Sequence, residues 1–231
     1  MPDTKRWKID INILEEGDIF FFYKPKDGIT QVKSMADVAR FYIILSPSQG
    51  GRMRFLVMGQ KKLPIIEDGG QIGWGFVEFV GGRGFQASKA PGKPNSTIGK
   101  ARPIGEGLYS IVLHANHSHL VYSLEHPPKP LKVQRAFNIN KEGSYVFITK
   151  KTALRQDKDI QKPSFVPLKS VKYLNQTGRE FLLIGSSRSV GKLGLIVDKR
   201  KEDIYQAQVF NKLKLNKNTH PIEPIMEGEW K

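Results

Sequence analysis

The chain contains no cysteine among its 231 residues. Disulfides, thiolate zinc sites, iron–sulfur clusters and cysteine nucleophiles are therefore excluded. It also has no apolar run long enough to form a membrane-spanning helix, and its first residues, MPDTKRWKIDINILEEGD, lack the apolar core of a signal peptide. From these absences we expect a cytoplasmic protein with no membrane partner.

Common catalytic motifs are missing as well. The chain has no Gly-x-Ser-x-Gly nucleophile elbow and no His-Glu-x-x-His zinc motif. Segment 185–192, GSSRSVGK, follows an apolar strand as a phosphate-binding loop does. However, five residues separate Gly185 from Gly191, and Leu193 stands where a hydroxyl would contact magnesium. Ordinary P-loop chemistry is therefore rejected, and whether the chain is an enzyme stays open.

Acidic residues are few relative to basic ones. Lys and Arg number 37 against 22 Asp and Glu, giving a formal net charge of +15. A field of that sign attracts the phosphates of nucleic acids, nucleotides or anionic lipids. A lysine-rich solvated surface is the alternative explanation. The hydrophobic content of 39% excludes a disordered chain.

Short apolar segments punctuated by Gly and Pro predict an α+β, mainly β fold with antiparallel, barrel-like sheet. Segment 19–23, IFFFY, is apolar at every position and predicts a central strand that is covered on both faces. Further strands are predicted at 41–45, 54–58, 74–80, 133–139, 143–149 and 181–184. A helix is predicted near 199–213, where Ile204, Ala207 and Phe210 recur at helical spacing.

Residues 83–104 differ in composition from the rest: they contain basic residues, no acidic residue and too little apolar content to pack. We expect a flexible loop or linker between a β-rich N-terminal half, 1–82, and a β-rich C-terminal half, 105–231. The two halves either fold separately or share one core. The loop is either a plain connector or a wrap for a phosphate backbone. With a small basic turn at 61–62, it supplies the predicted nucleic-acid-binding residues: Arg83, Lys89, Lys93, Lys100, Arg102, Lys61 and Lys62.

The central stretch 108–125, LYSIVLHANHSHLVYSLE, alternates regularly and predicts a β-hairpin. We expect a turn about Asn116-His117, with Ala115 opposite Ser118 and His114 opposite His119. In that register one face of the hairpin is wholly apolar or aromatic, as a half-buried antiparallel pair requires.

The hairpin also carries three of the five histidines. Directly opposed residues have Cβ atoms roughly 5 Å apart, so His114 and His119 become neighbours, and His117 folds toward them from the turn. Three imidazoles can bind zinc, or another divalent transition metal, with a position left for water or for His220. The alternative is a solvated loop tip that carries polar rings by chance.

Several segments carry resemblances to known families. The series GDIFFFYKPK, RFYIILSP, GQKKLP, GEGLYSIVLHANHSHLVYSLEHP, QRAFNINKEGSYV and HPIEPIMEGEW resembles a family of uncharacterised prokaryotic proteins, which implies no particular activity. The segment EEGDIFFFYK resembles the strand entry of PUA-like and EVE-like barrels, where a Gly-Asp turn precedes an aromatic strand. Because those modules bind RNA or modified bases, the second resemblance implies a barrel and a nucleic-acid partner.

The sequence therefore favours a non-catalytic nucleic-acid-binding module with DNA or RNA as its partner. A metal-binding protein or metal-dependent enzyme that uses the histidine hairpin is the first alternative. A protein-interaction module, whose charge only keeps it soluble, is the second. The strand aromatics, such as Phe20 and Phe22, are candidate platforms for bases, although aromatics in central strands more often belong to the core.

Overall fold

The computed structural model describes residues 11–66, 70–82, 100–114, 116–151, 165–187, 209–215 and 217–231. Within these residues, nine antiparallel strands form one sheet. They are β1 Ile11–Pro25, β2 Val38–Pro47, β3 Met53–Met58, β4 Ile72–Gly81, β5 Arg102–His114, β6 His117–His126, β7 Glu142–Lys150, β8 Phe165–Pro167 and β9 Glu180–Ser187. Eight close a barrel in the order β6-β5-β1-β2-β3-β4-β9-β7, and β8 pairs outside it with the end of β7. The predicted mainly β, barrel-like fold is confirmed.

Strand β1 is covered on both faces, as its composition predicts. Ile19, Phe21 and Tyr23 point into the barrel and belong to its interior cluster. Phe20 and Phe22 point outward into a second cluster. Residues from the end of the chain cover that outer face, namely Val209, Phe210, Leu213, Leu215 and Ile225. The aromatics of β1 are therefore core residues and are not exposed to a ligand.

The barrel has two ends, which we call the hairpin end and the basic end. The hairpin end contains the start of β1, the end of β2 and the tip of the β5–β6 hairpin. The basic end contains the end of β1, the start of β2 and the end of β3. Since the strands are antiparallel, residues far apart in sequence meet at each end.

Short elements close both ends. At the hairpin end, the Leu168 N–H donates to Ser118 Oγ at 2.6 Å, and a 3-10 helix, Val171–Asn175, follows. At the basic end, helix α1, Lys132–Ala136, places Val133 and the following Phe137 in the core. The Phe137 ring stacks on Tyr23 and Phe41, with centroids 5.6 and 5.0 Å apart.

Helix α1 corrects the predicted strand at 133–139. Val133 and Phe137 are four residues apart, so both face the core on a helix. The apolar residues that suggested a strand are thus buried by a helix, at helical spacing. Among the described residues, the remaining helices are a capped 3-10 turn, Met35–Asp37, and the short helices α2, Val209–Lys212, and α3, Glu223–Met226. Of the predicted helix near 199–213, only α2 falls among the described residues, and 199–208 lie outside them.

Both predicted halves contribute to this one barrel, since β1–β4 come from the first and β5–β9 from the second. The interior cluster takes residues from both. Of the predicted basic linker, residues 83–99 lie outside the described residues, and 102–104 belong to β5. Within the part of the chain that the structure describes, no helix combines the length and apolar character needed to cross a membrane.

Candidate functional site

The β5–β6 hairpin forms, but its register differs from the prediction by two residues. His114 pairs with His117 and Val112 pairs with His119, so the predicted turn about Asn116-His117 and the pairing of His114 with His119 are wrong. A shift of two residues leaves every side chain on its original face, because side chains alternate with a period of two. The apolar face therefore still lines the barrel, through Tyr109, Ile111, Leu120, Tyr122 and Leu124.

The three predicted metal ligands lie on the outer face of this hairpin. The His114 and His119 rings are diagonal neighbours, with centroids 6.4 Å apart and planes at 70°. His119 is buried, and its Nδ1 lies 3.3 Å from Ser144 Oγ. Burial, together with the nearby His114 and His117, lowers the pKa of His119 from 6.5 to about 4. His119 is therefore uncharged at neutral pH, which is the form that binds metals.

The hairpin geometry does not by itself form a metal centre. Within the described ranges, no group of three or more His, Asp or Glu side chains is arranged to hold a metal ion. The predicted additional ligand, His220, is buried, with Nδ1 2.8 Å from Thr219 Oγ1. Metal binding by His114, His117 and His119 stays a prediction.

The predicted nucleic-acid-binding cations have different environments. Arg83, Lys89 and Lys93 lie outside the described residues, and Lys100 is exposed. Arg102 is buried, and its guanidinium donates to the Thr30 carbonyl at 2.9 Å.

Arg102 also lies 5.9 Å from the centroid of the Tyr23 ring. Lys61 donates from Nζ to the Val38 carbonyl at 2.9 Å, and Lys62 is half-buried. Arg102 and Lys61 therefore stabilise the fold as well as adding charge.

Trp74 is a surface feature that the sequence pattern does not predict. Its side chain is on the outer face of β4 and is 43% exposed. The ring lies on Gly59, where a Cβ atom would come within 2.5 Å of it, and the Gly59 N–H donates to the Trp74 carbonyl at 2.9 Å. Phe76 is the next outward residue, with its ring centroid 5.7 Å from that of Trp74. An exposed aromatic surface is thus built against the basic turn that contains Lys61 and Lys62.

Arg40 adds positive charge on the same outer face. It lies opposite Lys24 in the β1–β2 pair, and its neighbour Phe41 pairs with Met58, the residue before Gly59. Its side chain is 48% exposed and contacts the Glu78 carboxylate. Arg40 and the exposed indole of Trp74 therefore both lie on the outer face near the basic end.

A cavity of about 470 Å³ lies beside residues 65–66 of the connecting segment 59–66. The Leu63 N–H donates to the Phe137 carbonyl at 3.0 Å, and Asn138 Nδ2 donates to the Leu63 carbonyl at 2.7 Å, so this segment is fixed against the residues after α1. The described lining residues are Ile65, Ile66, Lys129, Pro130, Arg135, Asn138, Ile139 and Asn140. The charged side chains among them are both positive.

The sequence contains signals for some of these features. The alternation in WGFVEFV places Trp74 and Phe76 on one face but does not tell which face is covered by other elements. The cavity joins residues 65–66 to residues 129–140, and no local pattern predicts that contact.

Comparison of the chain with models of protein families, with curated proteins and with solved structures finds no significant match. The functional interpretation therefore depends on the geometry of the chain itself.

Proposed function

We propose that the chain is a non-catalytic nucleic-acid-binding module that holds a single strand of DNA or RNA across the basic end of its barrel. The observation that carries this proposal is the exposed Trp74 ring, fixed on Gly59 and adjoining the Lys61–Lys62 turn. Stacking of one base on an aromatic side chain contributes about 1–3 kcal/mol and tolerates any base. Such stacking needs an unpaired base, which is why we propose a single strand.

The charge of the chain supports the same proposal. A net charge of +15 gives the surface a field that attracts phosphates over the whole molecule. Near Trp74 that field is supplied by Arg40, Lys61 and Lys62, while Glu78 offsets part of it through its contact with Arg40. The expected interface combines stacking with neutralisation of phosphates, so its affinity must fall as salt concentration rises.

Fluorescence anisotropy with labelled oligonucleotides of roughly 12 nucleotides tests the proposal. The wild-type protein should bind single strands more tightly than duplexes and lose most of its affinity between about 50 and about 200 mM salt. Trp74→Ala should weaken binding by about tenfold or more, and Trp74→Phe should restore part of it. Unchanged affinity of Trp74→Ala, or binding that ignores salt, contradicts the proposal.

Tyr173 offers a matched control at the opposite end of the barrel. It is 45% exposed, close to the 43% of Trp74, and lies on the 3-10 helix that closes the hairpin end. Tyr173→Ala should therefore bind as the wild type does. If no oligonucleotide binds even at low salt, the protein-interaction alternative takes the place of this proposal.

Metal binding at the hairpin is a second proposal, favoured by the shared outer face of His114, His117 and His119 and by the 6.4 Å between the first and last of these rings. Calorimetric titration of untagged protein with zinc tests it. His114→Ala or His119→Ala should abolish uptake, whereas Asn116→Ala, in the same turn, should retain it. Absence of zinc, nickel and manganese uptake by the wild type overturns the proposal.

A further inference from the structure

The cavity beside segment 59–66 has an apolar floor and a positive rim. Ile66 and Ile139 are buried in the floor, and Ile65 is 37% exposed. Lys129 lies in the segment before α1 and Arg135 in the last turn of α1, so consecutive parts of the chain place both cations at the cavity. In the described part of the chain neither of them forms an ion pair with a carboxylate, and both are exposed.

Hydrogen bonds to the core hold the residues beside this cavity in place. Gln134, next to Arg135, is fully buried; its Nε2 donates to the carbonyls of Ile104 at 2.7 Å and Pro224 at 2.8 Å. Asn140, another lining residue, donates from its backbone N–H to Tyr122 Oη at 3.0 Å. Binding to a wall that is already ordered costs little conformational entropy.

The chemistry of the lining selects a ligand with an apolar flat part and a strong anionic group. A volume of about 470 Å³ falls within the range of cavities that hold small organic ligands. A terminal phosphate carries a charge of about −1.5 to −2 near neutral pH, which matches two cations, whereas an internal phosphodiester carries a single charge. Arg also binds phosphate through two parallel hydrogen bonds. A nucleotide with a terminal phosphate has both required parts.

We infer that this cavity binds the terminal, phosphate-bearing nucleotide of the strand, with its base on the isoleucine floor and its phosphate between Lys129 and Arg135. The inference rests on the proposed function, because the same segment 59–66 that borders the cavity also carries Gly59, on which Trp74 lies. The strand therefore runs from Trp74 over the connecting segment and ends in the cavity.

Competition anisotropy with unlabelled oligonucleotides of one sequence tests the inference. The three competitors carry a 5′-phosphate, a 3′-phosphate or hydroxyls at both ends. One phosphorylated competitor should bind the wild-type protein about tenfold or more tightly than the hydroxyl competitor, as expected for charge-assisted contacts to the phosphate. Which of the two does so identifies the strand end that the cavity holds.

Arg135→Gln and Lys129→Gln should each reduce this preference several-fold. The control is Lys132→Gln, on the same helix, whose side chain is 68% exposed and lies 3.8 Å from Glu229, outside the cavity. It removes the same charge and should keep the full preference. Circular dichroism verifies that each variant is folded.

The possible results separate this inference from the proposed function. If all three oligonucleotides bind the wild type equally well, the terminal-phosphate site is overturned and nucleic-acid binding stands. If the preference survives in both Arg135→Gln and Lys129→Gln, its assignment to this cavity is overturned. If no oligonucleotide binds at all, both proposals fail together.

Discussion

The ion pair between Arg54 and Glu15, inside the barrel, provides a quantitative test of the packing. Arg54 is 1% exposed and the Glu15 side chain is 9% exposed. Arg54 Nη2 contacts Glu15 Oε2, and Arg54 Nε donates to the Arg52 carbonyl at 3.1 Å. The Tyr109 hydroxyl donates to the other Glu15 oxygen at 2.7 Å. Glu15 is thus the anionic partner of a guanidinium that water scarcely reaches.

Replacing Glu15 by Gln keeps the shape of the side chain but removes its charge. The Arg54 charge then stays buried without compensation, and breaking such a pair typically costs about 3–5 kcal/mol. Because Gln still offers an oxygen to Tyr109 or Arg54, we expect the lower end of that range, about 3 kcal/mol of unfolding free energy. Replacing both residues, as Glu15→Gln with Arg54→Met, should recover much of this loss, since no uncompensated charge is left.

Denaturation in urea at neutral pH, followed by circular dichroism, measures these free energies. The exposed pair Lys132–Glu229, at 3.8 Å with side chains 68% and 59% exposed, is the control. Lys132→Gln should change the unfolding free energy by less than about 0.5 kcal/mol. A loss below about 1 kcal/mol for Glu15→Gln, or a double variant less stable than Glu15→Gln alone, would show that Glu15 does not compensate a buried Arg54 charge.

Three further outcomes are expected. The folded state lowers the pKa of His119 to about 4, so the neutral ring stabilises the fold fully above pH 6.5. This stabilisation is lost as the pH falls from 6.5 toward 4, because the unfolded chain takes up the proton first. Since one pKa unit corresponds to about 1.4 kcal/mol, we expect pH-dependent urea denaturation to show a loss of up to about 3 kcal/mol that is absent in His119→Gln. If the unfolding free energies of wild type and His119→Gln change equally with pH, the burial of His119 is contradicted. Gln134→Leu strands the Pro224 carbonyl, so limited proteolysis should cut the C-terminal segment faster than in wild type; equal rates argue against this contact. Gly59→Val displaces the Trp74 ring and should reduce oligonucleotide affinity as Trp74→Ala does. Wild-type affinity in Gly59→Val would show that binding does not need the Trp74 ring to lie on Gly59.

The sequence predicts those features of the fold that depend on local periodicity. The five apolar residues of segment 19–23 indicate a strand buried on both faces, and the structure confirms it with one cluster inside the barrel and one outside. The hairpin faces are correct for the same reason. Its register is wrong because two registers that differ by two residues bury the same side chains, so hydrophobicity cannot distinguish them.

The candidate site was less predictable, because it depends on which surfaces the barrel leaves uncovered. Phe22 and Trp74 both occupy outward positions on strands, but the end of the chain covers Phe22 and leaves Trp74 43% exposed. Whether an outward strand residue is buried depends on which distant segment packs on it, and local sequence patterns do not encode that contact. Similarly, Arg135 and Ile65 meet at one cavity only because α1 and segment 59–66 close the same end of the barrel.

Photo-crosslinking of a bound single strand, with the crosslinked peptides mapped by mass spectrometry, shows directly where the strand lies on the barrel. We predict crosslinks at Trp74 and in segment 59–66, with further crosslinks near Arg135 when the strand carries a terminal phosphate. Crosslinks that map instead to the hairpin end, at His117 or Tyr173, contradict this prediction, as does a strand that forms no crosslink at low salt.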